Sequence, residues 1–165
     1  MTFLPYLTGG YGSEADANGA FLNLTLDSGR GAMWRSVLEA IGFDYIGVTD
    51  EYRAAGVDLS RITIAEGGSA NDLWNQIKAD MIGSEAVVMR TRGGAVMTDC
   101  AMAAHAVGDL PDLVGTLEEA AVIDRSFRPD PENTRMYRSM YEDRRSVMAG
   151  MMPVFGTLRG MAPLR

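Results

Sequence analysis

An α/β fold is predicted by three features of the sequence. They are short runs of Val, Ile, Leu and Thr, longer stretches with apolar residues every three or four positions, and glycine clusters at the junctions. Residues 3–18 carry too many glycines for a regular element and read as a loop. Gly19 to Leu26 alternates, with Phe21 and Thr25 on one face and Leu22, Leu24 and Leu26 on the other, which is the period of a strand. Arg30 to Ala55 places Met33, Val37, Ile41, Tyr45, Val48 and Tyr52 at helical steps, so one long amphipathic helix ending at Gly56 is expected, with that stripe as its apolar face. Gly42 and Gly47 lie inside it. Each costs about 1 kcal/mol relative to alanine, so close packing against a neighbour is expected to compensate.

Shorter units follow. Arg61 to Ala65 is a strand, Glu66-Gly67-Gly68-Ser69 a turn, and Asn71 to Ile82 a helix capped by Asn71 or Ser69, with Asp72 where the helix dipole favours negative charge. Ala86 to Met89 is another strand, Arg92-Gly93-Gly94 a turn, and Ala95 to Val107 a helix of small residues. This alternation implies right-handed crossovers onto a partly parallel sheet. A polar stretch, 124–131, leads into a long helix from about Glu132 to Met152, with Met136, Met140 and Met148 at helical spacing as core residues.

Composition narrows the function. The chain has 165 residues, 47% of them hydrophobic, enough for a core of its own. Its net charge is -7, Lys78 is the single lysine and the arginines are scattered, which argues against nucleic-acid partners and against a membrane surface. A single cysteine, Cys100, excludes an internal disulfide, and a single histidine, His105, excludes a multi-histidine metal centre. Both read as helix residues, Cys100 in the core and His105 packed or part-exposed. Glu142-Asp143-Arg144-Arg145 reads as a solvated face with intrahelical pairs. A free thiol and a start without signal-peptide features predict a cytoplasmic protein. No G-x-x-x-x-G-K-[ST] or G-x-S-x-G motif is present.

The segment RITIAEGGSANDLWNQIKAD, residues 61–80, carries the chemistry. A strand runs through Gly67 and Gly68 into a helix N-terminus. Glycines allow a ligand close to backbone N–H groups, and the helix start adds partial positive charge, which suits a nucleotide. A tight strand-to-helix turn also calls for glycine, so the motif alone leaves both readings open.

Longer blocks give a resemblance. FLPYLTG at 3–9, GAFLNLTLDSGRGAMWRSVLEAIGF at 19–43, EGGSANDLWNQIKAD at 66–80, the small-residue helix after Gly94 and the tail from Pro129 with Tyr137 and Tyr141 resemble, in order and spacing, the C-terminal domain of FGGY-family carbohydrate kinases, the xylulokinase branch in particular. Asn23 stands where that family usually has glycine, and Glu66 where it usually has the first of three glycines.

The resemblance implies a partial ribonuclease H-like (actin-like ATPase) domain: residues 1–165 as the C-terminal portion of the kinase's C-terminal domain, with the catalytic N-terminal domain absent. It implies ATP-dependent phosphorylation of a hydroxyl of a pentulose or related polyol. Gly67 and Gly68 are then backbone contacts to ATP, and Asn71 helps hold the adenosine. Magnesium and the aspartate base are expected outside this chain, which alone is expected to be inactive. In the implied fold the strand at 19–26 is the third and those at 61–65 and 86–89 the fourth and fifth. The strand at 19–26 would then lack its neighbours and pair with the strand at 61–65, with a second copy, or with a missing segment. The alternative is a stand-alone nucleotide-binding or interaction module without catalysis. A different actin-like ATPase is disfavoured by the tail after Pro129.

Overall fold

The computed structural model describes residues 1–65, 67–90 and 94–161, and of Ser13 the backbone only. The elements run β1 (Thr2–Leu4), a short 3-10 turn (Gly12–Glu14), β2 (Ala20–Leu22), α1 (Arg30–Ala54), β3 (Arg61–Ile64), a second 3-10 turn (Gly67–Ser69), α2 (Asp72–Ile82), β4 (Glu85–Met89), α3 (Gly94–Ala106), α4 (Leu113–Ala120), β5 (Ile123–Phe127) and α5 (Pro131–Arg159). The expected turn at Arg92-Gly93-Gly94 lies mostly outside the described residues, as does Glu66.

β3, β4 and β5 form a three-stranded sheet in that order. β3 and β4 are parallel, with Arg61 opposite Glu85 and Ile64 opposite Val88, as the alternation predicts. β5 returns antiparallel on β4, with Ala86 opposite Phe127 and Val88 opposite Arg125. It lies where a polar connection was expected. Pairing to the buried Val87 and Val88 makes a strand of IDRSF, three of whose five residues are polar.

The N-terminal region corrects two expectations. Residues 3–18 are not all loop, because β1 pairs antiparallel with β2, Thr2 opposite Leu22 and Leu4 opposite Ala20. The strand expected over 19–26 therefore has a partner within this chain, β1, and does not join β3. It also stops at Leu22, because Asn23 turns the backbone to φ +56°. That left-handed region favours glycine, with asparagine among the best-tolerated substitutes.

The core is helical at its centre. Leu38, Phe43 and Ile46 of α1, Trp74, Ile77 and Met81 of α2 and Tyr137 of α5 form one cluster. The two interior glycines of α1 have the neighbours expected of them. A Cβ on Gly42 would lie 2.2 Å from Met81 Sδ, and one on Gly47 2.9 Å from the Tyr141 hydroxyl. The apolar stripe inferred for α1 is the wrong face, however. Leu38, Gly42, Phe43, Ile46 and Thr49 are buried, while Ile41, Tyr45, Val48 and Tyr52 are 40–53% exposed. The helix has two apolar faces, and the close approach at Gly42 selects the one against α2.

α5 outruns its predicted end at Met152 and passes through Pro153, because Met148 and Phe155 are buried with Leu4 and Ala17. Of the three methionines read as core, Met148 is buried and Met136 is exposed. Arg144 is not on a solvated face. It is 8% exposed and donates from Nη1 to the Phe3 carbonyl at 2.9 Å, holding β1 to α5. Arg145 does pair with Glu142, at 3.7 Å. α4 was not anticipated, although Asp112 caps it by accepting from the Gly115 amide at 2.9 Å.

The start of α5 is fastened by Asp80, which is 3% exposed. Its Oδ1 accepts from Gln76 Nε2 and from the Asp130 amide, each at 2.8 Å, and its Oδ2 accepts from Asn133 Nδ2 at 3.0 Å. Asp80→Ala removes the acceptor these part-buried donors share, Gln76 keeping only the Arg128 carbonyl, so it is expected to destabilise the fold by about 2 kcal/mol. Urea unfolding followed by circular dichroism checks this, and a loss within experimental error of zero would show that the tie is not structural.

Candidate functional site

β3 and β4 are parallel, so their C-terminal ends open on the same rim, the side on which open α/β sheets bind ligands. From β3 the chain enters the turn Gly67–Ser69, and α2 starts at Asp72. Asn71 is the cap, its Oδ1 accepting from the Trp74 amide at 2.9 Å, and its Nδ2 makes no hydrogen bond to the described residues. Of the two candidate caps, Ser69 is instead buried in the turn.

Gly67, Gly68 and Asn71 are thus brought together at the start of α2. Among the described residues, nothing lies within 4 Å of a Cβ built on either glycine, and Gly68 has no positive φ. No described residue therefore requires glycine at these two positions or occupies the space above them.

Beneath the turn are residues that no motif announces. Lys78, 4% exposed, donates from Nζ to the Gly68 carbonyl at 2.9 Å and lies 5.1 Å from the centre of the Trp74 ring. Asn75, fully buried, donates from Nδ2 to the Ser69 carbonyl at 2.8 Å. Arg125 of β5 reaches the same carbonyl at 3.5 Å and pairs with Asp72. Asn75 and Lys78 stand three apart on one helix and so share a face, which does not by itself show that the face is turned inward.

Two cavities flank the turn. One of about 250 Å³ lies between the strand ends and α3 and α4, with Ala65, Ser69, Met89, Met97, Leu117 and Ala121 in its wall. Another of about 290 Å³ runs along the outer edge of β3 beside Tyr45, Trp74 and Lys78. A larger cleft of about 590 Å³ separates α1 from α5, lined by Tyr6, Glu14 and Arg144 among others, far along the chain from the turn residues.

His105 closes the α3–α4 connection, its Nδ1 lying 2.7 Å from the Leu110 carbonyl. Cys100 is exposed on α3, not in the core, because α3 buries none of its residues here. Among the described residues, no group of three or more His, Cys, Asp or Glu is placed to hold a metal, and no helix is long and apolar enough to cross a membrane.

Glycerol kinase of Plasmodium falciparum, solved with ADP, superposes with a TM-score of 0.74 over 89% of this chain and 30% of that one, at 19% identity. The fold is therefore the actin-like ATPase fold of these kinases. Residues 1–107 match the FGGY family of carbohydrate kinases, C-terminal domain, and the chain belongs to that family. Xylulose kinase of Escherichia coli strain K12 is 28% identical over 156 residues, which are 92% of this chain and 32% of that protein. Ribulokinase of Shouchella clausii is 31% identical over 137 residues, 79% of this chain and 24% of the relative. The chain spans between a quarter and a third of the length of these curated relatives.

Burial pushes the Lys78 ammonium down from 10.5 to about 8. Between those values the unfolded chain holds a proton that the folded chain has released, so this group makes stability rise with pH across that window. Burial pushes the Tyr6 and Tyr137 hydroxyls up to about 12, and these lower stability above about 10. The urea midpoint should therefore climb between pH 8 and pH 10, and Lys78→Met should flatten that climb. A wild-type midpoint that falls steadily over this range would contradict the buried ammonium.

Proposed function

We propose that the chain is the nucleotide-binding part of an ATP-dependent carbohydrate kinase acting in the cytoplasm, one that phosphorylates a hydroxyl of a pentulose or related polyol. The observation that carries this reading is the ledge at Gly67 and Gly68, at the strand ends and the start of α2, where no described residue would meet a side chain. The nucleotide rests against the backbone of Gly67 and Gly68 and takes a hydrogen bond from Asn71 Nδ2, while the apolar cavity beside Ser69 accepts a flat base. The ADP with which the Plasmodium falciparum glycerol kinase was solved supports the choice of ligand.

Phosphoryl transfer depends on positioning and on charge stabilisation. This chain contributes positioning. Among the described residues, no carboxylate cluster is placed to hold the magnesium that accompanies ATP. The sugar and the base that deprotonates its hydroxyl belong to the other side of a cleft, which makes the chain alone inactive.

The partner that completes the domain is a run of strands from the rest of such a kinase. Among the described residues β3 is paired on one side only, and its other edge continues into the cavity beside Tyr45 and Trp74. The exposed Ile41, Tyr45, Val48 and Tyr52 form an apolar roof on α1. An unpaired edge under such a face is a template for further strands.

Gly68→Val is expected to lower ADP affinity at least tenfold by calorimetry, because the side chain fills the ledge, while the melting temperature stays nearly unchanged. Equal affinity in the variant would remove the assignment and favour the non-catalytic module. For the edge, sedimentation of the purified chain should show self-association that Tyr45→Glu with Val48→Glu reduces. A monomer in which the β3 amides resist hydrogen exchange as well as those of β4 would show the edge to be covered already.

A further inference from the structure

We infer that Lys78 and Asn75 are positioning residues for the nucleotide, gripping consecutive carbonyls of the glycine turn from below and so setting the peptide planes on which the ligand rests. This rests on the reading that adenine nucleotide binds at Gly67 and Gly68.

Both residues are poor choices for stability alone. Lys78 is 4% exposed among Trp74, Ile62 and Ile82, where a methionine would fill the space without desolvating a charge. Asn75 is fully buried, and its Oδ1 has no partner among the described residues. A buried amide satisfied on one side only is a cost that a leucine would avoid. What the two obtain in return is the same kind of contact at adjacent positions, the Gly68 carbonyl at 2.9 Å and the Ser69 carbonyl at 2.8 Å.

Glycine has the greatest backbone freedom of any residue, and two in succession make a ledge that a ligand would have to order. The Lys78 tie fixes the planar Gly68–Ser69 peptide, and the Asn75 tie fixes the Ser69–Ala70 peptide, whose N–H closes the turn on the Gly67 carbonyl at 3.3 Å and so holds the two glycines in place. The grip therefore meets the ordering cost during folding, which is preorganisation. Phosphate binding needs no charge from Lys78 itself. The ammonium faces the underside of the turn, and its role is carried through the backbone.

ADP titration of the purified chain tests this, with Gly68→Val as the control for the site. Lys78→Met and Asn75→Leu should each weaken ADP binding about tenfold, the size expected for losing one hydrogen bond to a charged or buried partner. They should also speed hydrogen exchange at the turn amides without ADP and leave the melting temperature unchanged or raised. Lys78→Arg, which keeps the donor, should recover most of the affinity. If Lys78→Met does not fold, Asn75→Leu and Lys78→Arg carry the comparison. Unchanged ADP affinity in Lys78→Met or Asn75→Leu, while Gly68→Val loses it, would overturn the positioning role alone. Unchanged affinity in Gly68→Val, or no ADP binding by the wild-type chain, would overturn the nucleotide reading beneath it. Affinity losses that scale with lost melting temperature would mark both residues as merely structural.

Discussion

Helix α2 is buried along most of its length, against α1 on one side, α5 on another and the sheet on a third, and that enclosure governs the rest of the structure. A helix so placed cannot leave its polar side chains in water, so each must find a partner. Asp80 takes the first turn of α5, and Lys78 and Asn75 take the glycine turn. The Asn71 side chain caps the end that remains open. The free start of this helix coincides with the proposed site because it is the one end not committed to packing.

The two faces of α1 show how packing decides between equivalent patterns. Both have apolar residues at helical steps, but only one carries Gly42, and only there can the helix come close enough to α2 to bury Met81. Tyr45 belongs to the open face and still contacts the interior, its ring 6.3 Å from that of Trp74. Tyr45 thus belongs both to the exposed face of α1 and to the wall of the groove along β3.

Legibility in the sequence followed locality. α1, β3, α2, β4 and α3 could be placed within a residue or two because glycines and caps mark their ends and their periods are their own. β1 is three residues long and exists through its pairing with β2, and β5 exists through Val87 and Val88 of β4, so neither has a signal in its own composition. Gly67, Gly68 and Asn71 were visible because a strand-turn-helix junction is a local motif. Lys78, Asn75 and Arg125 were not, because nothing in a helical pattern says that a lysine is turned inward beneath a turn several residues upstream.

The placement of the two tryptophans follows from the same packing and has an optical consequence. Trp34 is 59% exposed on the first turns of α1, whereas Trp74 is 9% exposed, stacked on Tyr45 and facing the Lys78 ammonium. The first emits as indole does in water and the second as indole does in an apolar, positively charged surrounding. The blue edge of the intrinsic fluorescence spectrum is thus an internal reporter for the underside of the glycine turn, read against Trp34 as a solvent-exposed standard in the same molecule.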